Sequence, residues 1–420
     1  MNNKTTRICL GFGAFLSLLT LGLLFGLILY IFFSNPAHLD EDTASNASNS
    51  SEAEFEAKRN SLRLVEWLND NPYATYTARL NPWAIGLTPQ DEMDASMHPQ
   101  NDKVMNQKLI ELDNVVTNFY PIYDEHLKML EQQQRPIPDH FNAAIRWPNC
   151  SKGILEVRNQ GGCGSCWALS AVGVMTDRIC IASKAELKVN ISPQHLVECC
   201  SYCGGCNGTW DPLLPFLFWY ETGLVSEECY PSTVSTDCGH PCRPETFFPT
   251  KGVHKCSETC TANTNTTTHH YNKQKAKYAY KLGSMMSSRD GTSLYDRYEK
   301  FANQSTKGPR NVEELIKRDM MMFGPSVLCF NVFESFMHYH EGIYNFVRGG
   351  PEEIHVYDHC VKLIGWGRYK NNSTDEMDRY FTAINSWSTK WAKDGTFKID
   401  MKMLENYRSD FLPVFHPFHT

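Results

Sequence analysis

The stretch that decides the fold is residues 160–167, which read QGGCGSCW. Beyond it, apolar and small residues recur at three- and four-residue spacing, which predicts a helix over residues 166–182. Gly164 and Ser165 form the turn before this helix, so Cys166 lies where the unpaired amides and the positive end of the helix dipole point. Because a helix N-terminus lowers the pKa of a thiol, Cys166 is a candidate attacking thiolate. A structural disulfide cysteine in a loop is the alternative.

An attacking thiolate needs a base, and the base needs a group that orients it. His359 precedes the run CVKLIGWG (residues 360–367), which reads as a buried strand ending in a glycine turn. Asn385 opens Asn-Ser-Trp after a second β-prone run, residues 380–384. Its side-chain carbonyl can accept the imidazole N–H, and Trp387 can shield that bond from water. Taken alone, a histidine before a strand is more often a packing or surface residue.

Together these motifs resemble the papain family of cysteine proteases and, within it, cathepsin B. The resemblance covers about residues 137–415, with a weaker match before them. Other matching motifs are WPNC (147–150), DRICI (177–181), LVECC (196–200), GCNG (205–208) and GLVS (223–226). The resemblance implies an α+β, papain-like fold with a helical lobe, a β-barrel-like lobe and a cleft between them.

The resemblance also implies the roles of the site residues. Cys166 is the nucleophile, His359 the base, and Asn385 the group that orients the base. Gln160 supplies a side-chain amide to the oxyanion hole, where the backbone N–H of Cys166 is the second donor. The implied reaction is hydrolysis of protein or peptide substrates through a thioester acyl-enzyme, without a metal or an organic cofactor. The residues implied to bind substrate are Gly164, Gly208, Thr209, Trp387, Cys329, Cys360 and Asp410.

The chain departs from these relatives in the substrate cleft. Thr209 stands where the family has the second of two glycines, and its side chain can crowd the cleft. Ser388 and Ala392 also replace family glycines. Asp410 is the candidate for the acidic residue that lets cathepsin B accept arginine, with Ser409 as the alternative. These changes leave the catalytic groups in place.

Cathepsin B trims dipeptides from C-termini with a disulfide-closed loop that carries two adjacent histidines. The corresponding segment here, CGHPC (residues 238–242), is much shorter. Only His240 occupies a matching place, and Pro241 replaces its neighbour. The pair His269-His270 lies outside this ring, and we expect it to be a surface pair rather than a carboxylate clamp. We therefore expect an endopeptidase with weak or absent dipeptidase activity.

The 16 cysteines indicate an oxidising compartment. Cys9 lies in an N-terminal apolar run, and Cys329 and Cys360 match two small residues of a substrate pocket. For these two we expect buried thiols rather than a disulfide across the pocket wall. A zinc site among residues 199–206 competes with the disulfides implied there, but this cluster contains no histidine. The pairs implied by the resemblance are Cys150–Cys180, Cys163–Cys206, Cys199–Cys256, Cys200–Cys203, Cys229–Cys260 and Cys238–Cys242.

Residues 8–33 contain no charge and are almost wholly apolar, and Lys4 and Arg7 precede them. The run exceeds a signal-peptide core and suits a membrane-spanning helix. We predict an uncleaved type II signal anchor with residues 1–7 in the cytosol and the peptidase in a secretory or endolysosomal lumen. The enzyme would be secreted or lysosomal if processing releases it. A long cleaved signal peptide is the alternative. Lumenal exposure is also indicated by sequons at Asn46, Asn49, Asn149, Asn190, Asn207, Asn265, Asn303, Asn371 and Asn372. We expect Asn207 to stay unmodified, because it should lie beside the cleft, where a glycan would clash.

Composition divides the rest of the chain. Residues 34–60 are rich in Ser, Asn, Glu and Ala and are predicted to form a flexible stalk. Residues 61–136 contain apolar helical spacing at 62–68 and 109–116 and resemble a propeptide that fills the cleft as an inhibitor. An N-terminal domain that stays attached is the alternative. The peptidase domain is then 137–420, with a helical lobe at about 137–260, an insertion at about 261–310 and a strand-rich lobe at about 310–420.

The formal net charge of −7 argues against a nucleic-acid partner. Two other functional classes remain open. The first is a non-catalytic papain-fold binding protein, which the intact set of catalytic groups disfavours and the changes at Thr209, Ser388 and Ala392 keep open. The second is a transpeptidase or ligase that uses the same thioester. The sequence does not predict the oligomeric state.

Overall fold

A computed structural model gives the fold of the chain. Two compact units are distinguished, Met1–Glu56 and Ala57–Thr420. Apart from helix α1, which begins at Glu41, the elements described below belong to the second unit. The structure describes residues 41–85, 103–132, 135–209, 211–242, 255–261, 273–283, 311–351, 353–371, 374–406, 409–412 and 414–415.

Helices and strands alternate in blocks along the described residues. The helices are α1 Glu41–Asp70, α2 Lys103–Asn118, α3 Tyr120–Gln132, α4 Ala143–Arg146, α5 Ser151–Ile154, α6 Cys166–Ala182, α7 Pro193–Cys199, α8 Leu214–Glu221, α9 Val312–Phe323, α10 Glu334–Met337 and α11 Met401–Asn406. The strands are β1 Tyr76–Ala78, β2 Phe141–Asn142, β3 Tyr278–Ala279, β4 Ser326–Phe333, β5 Tyr339–Gly342, β6 His355–Lys370, β7 Met377–Ile384, β8 Thr396–Asp400, β9 Ser409–Leu412 and β10 Val414–Phe415.

Helix α6 packs against both helices and the sheet. It is apolar on nearly all sides, as expected for a helix that packs against neighbours all round, and most of its residues are buried. It begins at Cys166 and ends at Ala182, so the predicted helix over residues 166–182 is confirmed. Helices α7 and α8 pack against it, and strand β6 lies along another side. The first residue of α6 is therefore held where helices and sheet meet.

The strands of the C-terminal part of the chain form an antiparallel sheet. Its strand order is β8-β7-β6-β4-β9, and β2 pairs with β6. His359 lies inside β6, whereas the sequence predicted it just before a strand at 360–367. Gly365 and Gly367 do not end the strand. A Cβ at Gly365 would lie 2.2 Å from the carbonyl oxygen of Phe141, so glycine permits the close approach of β2. Residues 141–142 thus join the sheet rather than the helical part.

The N-terminal part differs from its prediction in one respect. Residues 41–60, assigned to a flexible stalk, belong to helix α1. The reason is composition, because alanine, glutamate and lysine favour helix and the stretch contains neither glycine nor proline. The amphipathic helices expected at 62–68 and 109–116 are confirmed by α1 and α2, which bury Leu68 and Leu112.

The apolar run at residues 8–33 lies outside the described residues. Within the described part of the chain, no helix combines the length and the apolar character needed to cross a membrane.

Candidate active site

Cys166 is the first residue of α6, and its side chain is 6% exposed. Ser165 precedes it without capping the helix through its side chain, so the first amides stay available. Burial raises the pKa of the Cys166 thiol, and the backbone N–H groups of Cys360 and Trp167 lower it, leaving a pKa of about 11. Among the described residues Cys166 is the free cysteine. The sulfur therefore lies near backbone N–H donors, but a pKa of about 11 means that the buried thiol is protonated at neutral pH.

His359 is completely buried in β6. Its Nε2 lies 2.8 Å from Oδ1 of Asn385, which can only accept, so Nε2 carries the hydrogen and Nδ1 keeps its lone pair. This Nδ1 has no hydrogen-bond partner among the described residues. The ring of Trp387 stacks on the imidazole, with centroids 4.7 Å apart and 30° between planes, which excludes water. Burial lowers the pKa of His359 to about 4, although the Asn385 bond acts the other way.

Strand β6 brings the histidine to the cysteine. The backbone N–H of Cys360, the residue after His359, is close enough to the Cys166 sulfur to lower the pKa of the thiol. Asn385 follows the end of β7, which pairs with β6. The order of thiol, imidazole with a free Nδ1 and orienting amide is the arrangement that nucleophilic catalysis by cysteine requires. The structure thus brings together the three residues that the sequence singled out.

Gln160 is buried beside the same loop. Its Oε1 accepts a hydrogen bond of 2.8 Å from Oγ of Ser386, and its Nε2 donates to the carbonyl oxygen of Cys163 at 3.2 Å. The backbone N–H of Ser386 also donates to Oδ1 of Asn385 at 2.7 Å. Ser386 therefore orients both the amide of Gln160 and that of Asn385. The sequence reasoning missed this role, although Ser386 is the central residue of the Asn-Ser-Trp motif.

Gly164 and Gly208, which are predicted to bind substrate, occupy backbone positions that favour glycine. The N–H of Gly164 donates to the carbonyl oxygen of Cys206 at 2.9 Å, and a Cβ at Gly164 would lie 2.4 Å from that oxygen. Gly208 has a φ of 84°, a conformation that favours glycine. The next residue, Thr209, is buried, and its hydroxyl donates to the carbonyl oxygen of Asp211 at 3.2 Å. The Thr209 hydroxyl thus has a partner in its own loop.

Ser388 and Ala392, which replace family glycines, both adopt the left-handed backbone conformation. Their φ angles are 68° and 53°. A residue with a Cβ is disfavoured there by about 1–2 kcal/mol. Both residues therefore hold a backbone conformation that favours glycine, and the chain is strained close to Trp387.

The six disulfides implied by the resemblance are confirmed. The zinc alternative at residues 199–206 is wrong, because every cysteine of that cluster is in a disulfide. Among the described residues, no group of three or more His, Cys, Asp or Glu side chains is arranged to hold a metal ion.

The expectation of two buried thiols at Cys329 and Cys360 is also wrong, because they form a disulfide. The physical reason is register. Strands β4 and β6 pair antiparallel with these residues directly opposite each other, and their Cα atoms are 4.0 Å apart. On the other edge of β4, the backbone register with β9 pairs Cys329 with Asp410 and Phe330 with Ser409.

The short ring closed by Cys238 and Cys242 carries His240, which is nearly buried. Its Nδ1 lies 3.4 Å from Nδ2 of Asn159, the residue before Gln160. Burial and, to a smaller extent, the charge of Lys390 lower the pKa of His240. The pair His269-His270 lies outside the described residues.

The segment of residues 76–85 packs across the elements that surround the site. Its strand β1 pairs antiparallel with β5. Asn81 then makes a cluster of bonds, donating its backbone N–H to Nδ1 of His338 at 3.1 Å and its side-chain amide to the carbonyl oxygens of Met337 and His240 at 3.2 and 3.0 Å. Trp83 packs edge-on against the ring of His240, with centroids 6.1 Å apart. Residues N-terminal to the peptidase region thus join β5, α10 and the disulfide ring.

The site combines three features. Cys166 begins a buried helix, His359 lies in the antiparallel sheet against which that helix packs, and Asn385 follows the neighbouring strand. This arrangement defines a papain-like cysteine peptidase site. The chain belongs to the papain family of cysteine proteases, whose family model matches residues 137–409.

Cathepsin B-like proteins are among its relatives. Cathepsin B-like cysteine proteinase 6 of Caenorhabditis elegans is 34% identical over 290 residues, which are 66% of this chain and 65% of that protein, just under two thirds of its length. Cathepsin B-like cysteine proteinase 1 of Ostertagia ostertagi is 34% identical over 298 residues, or 70% of this chain and 77% of that protein.

Solved structures of proforms share the fold. The procathepsin B S9 of Trypanosoma congolense has a TM-score of 0.55 and 21% identity, covering 83% of this chain and 96% of that one. A digestive procathepsin L2 from Tenebrio molitor has a TM-score of 0.54 and 17% identity, covering 92% and 97%. At these identities the likeness establishes the papain-like fold alone.

Proposed function

We propose that the protein is a cathepsin B-like cysteine endopeptidase. The observation that carries the proposal is the His359–Asn385 bond, which leaves Nδ1 of His359 free next to the strand position that contacts Cys166. The imidazole takes the thiol proton, and the sulfur of Cys166 attacks the peptide carbonyl carbon. The N–H of Cys166 and the amide of Gln160 stabilise the oxyanion. The imidazolium then protonates the leaving amine, and water hydrolyses the thioester.

In the state that the structure describes, the thiolate–imidazolium pair needed for this reaction is not formed. Burial keeps Cys166 protonated, with its pKa at about 11, and keeps His359 neutral, with its pKa at about 4. We propose that residues 61–136 act as an inhibitory propeptide of a domain at 137–420, and that the bonds of Asn81 hold residues 76–85 over the cleft. Departure of that segment hydrates both groups and allows the thiolate–imidazolium pair to form.

The proposed location is the lumen of the secretory or endolysosomal pathway, with residues 8–33 as a type II signal anchor. The disulfides support an oxidising compartment. Of the predicted glycosylation sites, Asn149 is exposed. The amide of Asn190 is bonded to Arg158 and to Glu227, so we do not expect a glycan there.

Weak or absent dipeptidase activity is part of the proposal. The ring between Cys238 and Cys242 offers one histidine, His240, and its Nδ1 already lies within reach of Asn159. A terminal carboxylate therefore meets one imidazole rather than two. Release of dipeptides from a peptide with a free C-terminus, lost when that end is amidated, would contradict this part of the proposal.

The test of the function uses the processed enzyme at pH 5–7 under mild reductant. Turnover of a panel of fluorogenic dipeptide substrates is recorded together with labelling by an epoxide thiol probe, and Cys166→Ala is the control. The proposal expects turnover and labelling that both vanish in the control. A folded enzyme with neither favours a binding protein, and products that incorporate an added amine instead of water indicate a ligase.

A further inference from the structure

Helix α3 buries a histidine in the peptidase region. His126 is completely buried, with Nε2 3.1 Å from Oδ2 of Asp319 and Nδ1 2.8 Å from the hydroxyl of Tyr278. One turn earlier, the hydroxyl of Tyr123 donates to the carbonyl oxygen of Ala279 at 2.6 Å. These contacts join residues N-terminal to position 137 to residues within the region 137–409 that matches the papain family.

The partner of His126 belongs to the framework of the active site. Asp319, on α9, forms a buried ion pair with Arg178, and the hydroxyl of Tyr280 donates to Asp319 Oδ2 at 2.6 Å. Arg178 lies on α6, the helix that begins with Cys166, and its Nε donates to the carbonyl oxygen of Pro325 at 2.8 Å. A buried ion pair is stable only while its remaining hydrogen-bonding positions are filled, so removing α3 would leave Asp319 short of a partner.

Apolar contacts also join helices α2 and α3 to the rest of the core. The ring of Phe119, between α2 and α3, packs edge-on against Tyr220 at the end of α8, with centroids 4.8 Å apart. The ring of Phe323 packs on His126 at 4.9 Å. The helix pair contributes to the same continuous core as α6 with the buried residues Leu112, Val116, Phe119, Leu127 and Leu130. Separating the helix pair would expose this core surface, which is costly in water.

We propose that the helix pair α2–α3 stays bound to the peptidase domain as a non-covalent subunit after the chain is cut on both sides of it. Of the proposed propeptide at residues 61–136, maturation then removes the part that contains residues 76–85 and leaves residues 103–132 in place. The inference rests on the proposed function only in that processing occurs, because the docking surface itself is made by His126, Asp319 and Arg178.

The test uses the full chain with Cys166→Ala to prevent self-cleavage. Two sites for an external sequence-specific protease are introduced, one replacing residues 91–97 and one inserted between Gln133 and Gln134. After complete cleavage at pH 7.5 under non-reducing conditions, the products are separated by size exclusion in 1 M NaCl and identified by mass spectrometry. The proposal predicts co-elution of the fragment containing 103–132 with the fragment containing 135–420. Elution of that fragment alone would overturn it.

A second arm tests the docking residue. His126→Ala should raise the dissociation rate of the cut fragment by about tenfold, because it leaves Asp319 with an unmade bond. Lys128→Ala, an exposed change on the same helix, should leave the rate unchanged. Should His126→Ala fail to fold, Tyr123→Phe, which removes the bond to Ala279, provides the same comparison. Equal rates in all variants would contradict the assigned surface.

The same cut applied to a chain that keeps Cys166 separates this inference from the peptidase proposal. Co-elution without turnover would overturn the peptidase function and support the retained subunit. Turnover together with elution of a free helix-pair fragment would support the peptidase function and overturn the retained subunit.

Discussion

At the residue scale, catalysis depends on the orientation of one ring. The bond from His359 Nε2 to Asn385 fixes the tautomer, and the ring of Trp387 covers that bond. Ser386 ties this pair to Gln160 through its hydroxyl. His359 and Gln160, the proposed base and the proposed oxyanion donor, are therefore positioned by one short loop.

Replacing Asn385 by alanine should lower kcat by about 10–100-fold, because the imidazole loses its orienting acceptor in a buried site. The measurement is steady-state kinetics on the processed enzyme, with circular dichroism to verify folding. Asn406→Ala, which removes an exposed amide at the end of α11, is the matched control and should keep kcat. An unchanged kcat in Asn385→Ala would show that the ring needs no such acceptor.

Ser388→Gly and Ala392→Gly should each stabilise the protein by about 1 kcal/mol, because glycine relieves the left-handed conformation at φ angles of 68° and 53°. Urea unfolding measures the free energy of unfolding. Ala182→Gly, at the helical end of α6, is the control and should destabilise by a similar amount. Destabilisation by both glycine substitutions at 388 and 392 would rule out backbone strain at these positions.

At the element scale, the segment N-terminal to the peptidase packs over a buried acidic group. The pKa of Glu353, beside α10, is raised by burial to about 7. Its Oε1 accepts the N–H of Ser335 at 3.2 Å. The second oxygen of Glu353 has no hydrogen-bond partner among the described residues. Burial and, to a smaller extent, the nearby charge of Glu353 raise the pKa of the Tyr76 hydroxyl on β1. The β1–β5 contact is thus built on a carboxyl that resists ionisation.

The pH dependence follows from the direction of that shift. Because the folded pKa lies above the ordinary value of 4.5, the proton on Glu353 contributes stability that is fully present below about pH 4.5 and is lost as the pH rises through 7. Glu353→Gln should therefore match the parent at pH 4 and exceed it at pH 8 by on the order of 1 kcal/mol. Thermal unfolding across pH measures this difference. Glu186→Gln, at an exposed position, should show no such trend, and a parallel pH profile for Glu353→Gln would contradict the buried carboxyl.

The disulfide between Cys329 and Cys360 locks β4 to the strand that carries His359. Its two cysteines are 31 residues apart, whereas Cys238 and Cys242 are 4 apart. Replacing both members of the first pair by alanine should destabilise the protein by about 2–4 kcal/mol, and the second pair by less, because a longer loop restricts the unfolded chain more. Urea unfolding without reductant compares the two. A larger loss from the short ring would contradict this ranking.

At the scale of the whole molecule, local patterns predicted the most. The helix over residues 166–182 and the roles expected of Cys166, His359 and Asn385 rest on contiguous motifs, and the structure brings these residues together. Features that need strand register or tertiary packing were not predictable. The pairing of Cys329 with Cys360 depends on β4–β6 register. The docking of His126 on Asp319 joins residues 193 positions apart in sequence.

The backbone angles at Ser388 and Ala392 mark another limit. The sequence shows that these residues replace family glycines, but it does not show that the backbone adopts a conformation suited to glycine at both positions. Likewise, composition assigned residues 41–60 to a stalk, although their helix-forming residues extend α1 through them.

The central claim is that Cys166 is a protonated, covered thiol in the intact chain and a reactive thiolate once residues 76–85 leave. The most direct measurement is the rate of alkylation of Cys166 against pH, followed by peptide mass spectrometry, before and after cleavage within residues 86–102 and removal of the N-terminal fragment. We predict a rate in the intact chain that rises only toward a pKa of about 11, and a rate in the cut enzyme that is already high at pH 6. The same pH profile in both forms would contradict the account.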